Sequence, residues 1–98
     1  MTDTNDHDEK PLDPIAELIL SALSREPKGT TISPENLAKY VAESKRKPKD
    51  GPQLWRRYFT ATKQQAIHLA RINLIEIIRK GEVADPNDLK GLWKVRLK

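Results

Sequence analysis

The spacing of apolar residues near the start of the chain predicts an amphipathic helix. Apolar side chains recur there at intervals of three and four residues, which places them on one face: Ile15, Leu18, Ile19, Ala22 and Leu23. Asp13 is suited to cap this helix and Pro14 to occupy its first position. Proline and glycine in residues 26–29 break the period, so the helix is predicted to end there.

A second helix is predicted from Pro34 to about Ser44. Ser33 can accept a hydrogen bond from a free backbone amide at the start of this helix, and Pro34 again fits the first turn. Residues 30–32 precede it and are typical of a very short β segment. The following residues, 45–52, combine a basic cluster with two prolines and a glycine, which predicts an exposed cationic loop.

The helical pattern returns in residues 53–73, but not as one continuous stripe. We therefore predict a short turn followed by a main helix capped by Thr60, ending at Asn73 in a left-handed conformation. Its inner face is predicted to carry small and apolar side chains: Ala66, Leu69 and Ala70, flanked by Ile67 and Ile72. The opposite face carries Gln64, His68 and Arg71. Both tryptophans, Trp55 and Trp93, are predicted to lie in the core.

The remaining residues have the pattern of β-structure. Residues 74–79 are rich in β-branched side chains, Lys80 and Gly81 form a predicted turn, and residues 93–98 alternate strictly between apolar and basic. Helix, short strand, helix, loop, helix and hairpin is the element order of a winged helix-turn-helix. The predicted fold is thus α+β, with three helices and a small antiparallel β-hairpin wing in residues 14–98, preceded by a disordered acidic tail in residues 1–13.

Composition limits the classes of function. A chain of 98 residues, 37% hydrophobic and 33% charged, has room for one small domain. The absence of cysteine excludes disulfides and thiolate metal sites. The apolar runs are too short to span a membrane and no secretory signal is visible, so we expect a cytoplasmic protein.

Several separate motifs, in this order and spacing, give the chain a resemblance to a known family. They are Ile19 with Leu23, residues 31–34, Trp55 with Arg56, residues 68–70, Ile75 with Glu76, Lys80 with Gly81, Asp85 with Pro86, and Gly91 before a basic strand. Together they resemble a family of small bacterial domains of unknown function with a winged-helix-like fold. Ser33 stands where the family pattern has cysteine and Thr60 where it has proline, and the loop at residues 45–53 is longer and more basic. The resemblance implies a fold and no established activity.

Charge favours a binding module over an enzyme. Residues 1–13 hold five acids and one lysine, a net charge of −4, which leaves residues 14–98 at +8 with 17 basic and nine acidic residues. The predicted domain contains one histidine, His68, and scattered acids, so convergent catalytic groups are not expected. We expect no enzyme activity, cofactor, metal or small-molecule substrate.

Double-stranded DNA is the anionic partner that a winged helix suits best. The third helix of this fold can enter the major groove while the wing contacts the flanking backbone. The candidate nucleic-acid-binding residues are Lys45, Arg46, Lys47 and Lys49 in the loop, Arg56, Arg57, Lys63, Gln64, His68 and Arg71 in the third helical region, and Lys80 and Lys94 in the wing. A second interpretation remains open, in which these charges are a solvated face and the scaffold is a protein–protein interaction module.

Overall fold

A computed structural model describes residues 12–98 of the chain. The predicted acidic tail, residues 1–13, therefore lies outside the described residues except for Leu12 and Asp13. Leu12 is partly buried against the hydrophobic core, and Asp13 caps the first helix.

The first two helices begin where their caps predicted. Helix α1 spans Pro14–Ser24, and the side chain of Asp13 accepts a hydrogen bond from the amide of Ile15 at 2.8 Å. Helix α2 spans Pro34–Lys45, and the hydroxyl of Ser33 accepts from the amide of Asn36 at 3.1 Å. Each cap satisfies one backbone donor that the helix cannot pair, which fixes where the helix starts.

The third helix differs from the prediction at its start. Helix α3 spans Trp55–Arg71 without interruption, so the predicted break and the Thr60 cap are wrong. The rings of Trp55 and Phe59 lie one turn apart and meet edge to face with centroids 5.6 Å apart. This aromatic pair lies along the first turns, where the apolar stripe of the later turns does not reach. At the other end Asn73 has φ 66°, the left-handed conformation that the sequence predicted.

The strands form a three-stranded antiparallel sheet in the order β2–β1–β3. Strand β1 spans Ile75–Arg79, β2 spans Glu82–Ala84 and β3 spans Lys94–Leu97. Lys80 and Gly81 connect β1 to β2 with φ values of 54° and 82°, a tight turn of the kind that hairpins prefer. On the far side of β3, Ile32 forms a bridge with Val95 through two backbone hydrogen bonds of 2.8 and 2.9 Å. The very short β segment predicted at residues 30–32 is this bridge.

The core lies where the three helices meet the inner face of the sheet. Its largest fully buried apolar side chains come from every layer: Ile19, Leu37, Val41, Leu69, Ile75, Ile77 and Val95. Both tryptophans are only partly buried. Trp93 packs against this core, which confirms its prediction in part, but Trp55 lies outside the core cluster of the described chain. The prediction for Trp55 is therefore wrong, because its ring packs beside Phe59 and cationic side chains near the start of α3. Ile72, expected to flank the inner face of α3, is 44% exposed just after the helix ends.

Residues 12–98 thus form three helices followed by an antiparallel sheet, an α+β layout consistent with a winged-helix arrangement. The outward side of α3 is exposed at Gln64, His68 and Arg71. The architecture therefore places this helix at the surface, with the hairpin beside it.

Candidate nucleic-acid interface

The exposed side of α3 carries positive charge and no carboxylate. Its 17 residues include four arginine or lysine residues and neither aspartate nor glutamate. The side chains on the outward face are Arg57, Gln64, His68 and Arg71, all exposed to solvent. An α-helix with this composition presents hydrogen-bond donors and positive charge to a ligand, and none of its own side chains is an acid that would repel an anion.

Aromatic rings and cations alternate along one flank of the same helix. The ammonium of Lys63 lies 4.7 Å from the centre of the Phe59 ring. Lys39 of α2 and the guanidinium of Arg56 lie 5.3 and 5.6 Å from the centre of the Trp55 ring. Cation–π attraction at these distances holds the charges close to the helix surface.

Phe59 and Lys63 of this flank face the wing across an open cleft of about 690 Å³, whereas Trp55 lies outside it. We call it the α3–wing cleft and define it by the six residues that carry its chemistry: Phe59, Lys63, Ile78, Lys80, Trp93 and Lys94. Ile78 and Lys94 are opposite each other in the β1–β3 register. Three of the predicted site residues, one from α3 and two from the wing, are therefore brought together.

Two charged pairs border the same surface. Arg96 donates to the carboxylate of Glu76 at 3.0 Å, and Lys39 contacts Glu35 at 3.0 Å. Lys63, Lys80 and Lys94 take part in no salt bridge within residues 12–98. The unneutralised charge at the cleft is therefore that of these three lysines.

The loop between α2 and α3 is exposed and cationic, as its composition predicted, with Arg46 as the exception. The guanidinium of Arg46 contacts Glu43 at 2.8 Å and donates to the carbonyls of Asp50 and Gly51 at 3.1 and 2.8 Å. The amide of Lys47 donates to the carboxylate of Asp50 at 2.8 Å. Arg46 thus closes the loop upon itself, and its donors are already committed. The exposed cationic side chains of this loop are those of Lys45, Lys47 and Lys49.

These loop cations do not line the α3–wing cleft. The cleft is bordered by the start of α2, by α3 and by the sheet, whereas a separate small hollow at the loop is lined by Arg46, Pro52 and Trp55. At the opposite end of α3, Arg71 donates to the side chain of Asn87 at 2.7 Å, which joins the helix to the wing loop. The predicted residues therefore fall into a cleft group, an outward helix group and a loop group.

The structure also brings in residues that the sequence had not marked as functional. Phe59 and Ile78 line the cleft, and Leu92, which is 94% exposed, stands at its edge beside Trp93. The spacing of Phe59 four residues before Lys63 was a visible helical signal for their contact. Nothing local in the sequence marks Ile78 or Leu92, because their position depends on how the sheet lies against α3.

A second polar cluster lies away from the cleft, between α1 and α2. The hydroxyl of Tyr40 is 3.1 Å from the hydroxyl of Ser21 and accepts from Arg25 at 3.4 Å. Hydrogen bonding with Ser21 first, and then with Arg25, lowers the pKa of Tyr40 below its ordinary value. The same phenol raises the pKa of Arg25. The cluster borders an open hollow of about 620 Å³.

Within the described part of the chain, no three His, Asp or Glu side chains are grouped closely enough to hold a metal ion. The three helices there are also too short or too polar to cross a bilayer.

The sequence of this domain matches the model of one known protein family. Residues 12–98 match the family described as "Protein of unknown function (DUF3253)". The chain belongs to this family. No curated protein matches the chain.

Membership in DUF3253 confirms the sequence-based assignment to a family of small domains of unknown function. The matched residues include all three helices and the whole sheet. The family description gives no activity, so the function has to be argued from the surface of α3 and the wing.

Proposed function

We propose that this chain is a DNA-binding or regulatory winged-helix module that contacts double-stranded DNA. The observation that carries the proposal is the joining of two cationic surfaces: Lys63 on the acid-free helix α3 shares a cleft with Lys80 and Lys94 of the wing. Double-stranded DNA presents one negative charge per roughly 1.7 Å of its axis, so lysines that share one cleft gain affinity from several phosphates at once.

The docking mode follows from the exposed side chains. The outward face of α3 enters the major groove, where Gln64 and Arg71 have the hydrogen-bonding groups that read adenine and guanine edges. Six lysines contact the flanking phosphates. Lys63 does so from the flank of α3, Lys80 and Lys94 from the wing, and the exposed Lys45, Lys47 and Lys49 from the loop. Arg46 contributes by holding the loop closed rather than by contacting phosphate. The proposed function includes no catalytic step. The proposal also places the protein in the cytoplasm, where the DNA of a cell without a nucleus lies.

The test is a salt-dependent titration of labelled random duplex DNA, followed by fluorescence anisotropy. About six phosphate contacts predict a slope near −5 in a plot of log affinity against log salt concentration. Lys63→Gln and Lys94→Gln should each weaken binding and make the slope shallower by about 1.

The matched control is Lys28→Gln, which removes the same charge from the exposed turn after α1, outside the cleft. It should change affinity and slope much less than the cleft variants. Equal effects of all three variants would show that net charge rather than this surface binds DNA, and the absence of salt-dependent binding would contradict the proposal.

A protein–protein interaction module is the second candidate. Leu92 is 94% exposed and adjoins Trp93, Phe59 and Ile78 at the cleft, and exposed apolar side chains grouped in this way are typical of protein-docking surfaces. Under this interpretation Leu92→Ser would abolish partner capture and leave duplex DNA affinity at its baseline. Under the DNA proposal the lysine variants have the larger effect.

A further inference from the structure

The α3–wing cleft also has an apolar floor, which takes no part in the proposed contacts with DNA phosphates. Phe59 of α3, Ile78 of β1 and Trp93 before β3 line it, each only partly buried. These side chains come from three different elements of the fold, so the floor is formed by the packing of the hairpin against α3. A volume of about 690 Å³ lies within the range of roughly 300 to 1,000 Å³ that is usual for small-molecule sites.

Three lysines border this apolar floor and make its surroundings positive on balance. Lys63 lies over the Phe59 ring, and Lys80 and Lys94 lie on the wing side. No carboxylate within residues 12–98 forms a salt bridge with any of the three. Two other charged side chains also line the cleft, and both are paired: Glu35 with Lys39, and Arg96 with Glu76. A ligand here therefore meets three unpaired ammonium groups, one carboxylate that is already paired, and aromatic and aliphatic carbon.

We propose that the α3–wing cleft binds a small aromatic anion. The aromatic part of the ligand packs against Phe59 and Trp93, and its anionic group contacts Lys63 and Lys94. Carboxylate and phosphate both satisfy this chemistry, so an aromatic carboxylate and a nucleoside monophosphate are the two sources of such a ligand. The chain's own acidic residues 1–11 fit the cleft less well, since Met1 is their one large apolar side chain.

This site stands independently of DNA binding, although the two use the same lysines. The floor contributes nothing to contacts with duplex phosphates, whereas it supplies most of the surface that a small aromatic ligand would bury. A titration without DNA therefore tests the ligand site alone.

The experiment follows the indole N–H signals in ¹H–¹⁵N correlation spectra of the whole protein. Three probes are titrated separately: 1-naphthoate, its neutral analogue 1-naphthalenemethanol, and adenosine monophosphate. Trp93 reports on the cleft. The backbone amide of Gly29, in the exposed turn after α1 and outside the cleft, is the internal control, because Trp55 contacts the cleft residue Phe59. The expected result is a saturable shift of the Trp93 signal with naphthoate or the nucleotide, and a much smaller shift of the Gly29 amide. Whichever of the two anions binds more tightly identifies the source of the ligand.

Lysine variants then test the role of charge. Lys63→Gln and Lys94→Gln should each weaken naphthoate binding by about threefold to tenfold, and Lys28→Gln should leave it unchanged. The proposal is overturned if the neutral alcohol binds as tightly as naphthoate, if the Gly29 amide shifts as much as the Trp93 indole, or if no saturation occurs by about 10 mM of either anion. A failed duplex titration with intact naphthoate binding would remove the proposed DNA function and leave this site standing.

Discussion

Thr62 offers the sharpest test of how α3 is packed. It lies in the middle of α3 and is fully buried, yet its hydroxyl has no hydrogen-bond partner among residues 12–98. Valine has the same branched shape with a methyl group in place of the hydroxyl. Thr62→Val therefore removes an unpaired polar group and creates no cavity.

The size of the effect follows from the desolvation of that hydroxyl. A buried polar group without a partner costs about 1–3 kcal/mol, while threonine and valine have similar helix propensities. We expect Thr62→Val to raise the free energy of unfolding by about 1 kcal/mol. For a domain of this size that corresponds to a rise in Tm of about 4–8 °C and a rise in the urea midpoint of about 0.5–1 M.

The assay is equilibrium unfolding in urea, followed by circular dichroism and by tryptophan fluorescence to check for two-state behaviour. Thr62→Ser is the matched control, since it keeps the hydroxyl and removes the methyl group, and it should lower stability by about 1 kcal/mol. A less stable Thr62→Val protein would refute the reasoning, because it would mean that the hydroxyl is paired in the folded state.

Two further predictions concern the core and the cluster between α1 and α2. Leu69→Ala should lower the free energy of unfolding by about 2–5 kcal/mol in the same urea assay, because Leu69 is fully buried. Ile72→Ala, three residues later and 44% exposed, should lower it by less than about 1 kcal/mol. Similar losses of stability for both variants would mean that the buried face of α3 is misassigned. In a Tyr58→Phe background, the ultraviolet absorbance of the phenolate should show Tyr40 ionising at lower pH in the folded protein than in urea, and Ser21→Ala should move its pKa back up. The pKa of Tyr40 is lower in the folded protein than in the unfolded chain, so this cluster stabilises the fold at pH values above the ordinary pKa of tyrosine. That contribution is lost as the pH falls through the folded-state pKa. An unchanged titration of Tyr40 in Ser21→Ala would contradict the assigned cause.

Local signals account for the parts of the fold that the sequence predicted well. Asp13 and Ser33 each form a hydrogen bond within three residues, so their role as caps is determined by adjacent chain. The left-handed backbone at Asn73 and Lys80 likewise depends on neighbouring residues. Alternation in residues 93–98 predicted the buried Val95 because side-chain direction in a strand has a fixed period.

Contacts that no periodic pattern determines, between distant elements or within an irregular loop, account for what the sequence did not predict. The contact of Trp55 with Lys39 requires α2 to pack beside α3, and this contact is part of why the ring lies outside the core. Arg46 was grouped with the phosphate-binding cations, but its reach to the carbonyls of Asp50 and Gly51 depends on how the loop closes. The cleft itself joins side chains from α3, from β1 with the turn after it, and from β3 with the residues before it, and no periodic pattern relates them.

The bridge between Ile32 and Val95 also has a consequence for the order of folding. Strand β3 lies between β1 and Ile32, so it forms backbone hydrogen bonds with both of them. It also contributes the buried side chain of Val95 to the core. During synthesis the three helices leave the ribosome before this strand does. Until residue 95 emerges, β1 has no β3 to pair with, and Ile75 and Ile77 are not fully buried. Pairing between segments as far apart in sequence as Ile32 and Val95 is slow to form. The helical half is therefore expected to gain protection from proteases in a single late step rather than helix by helix.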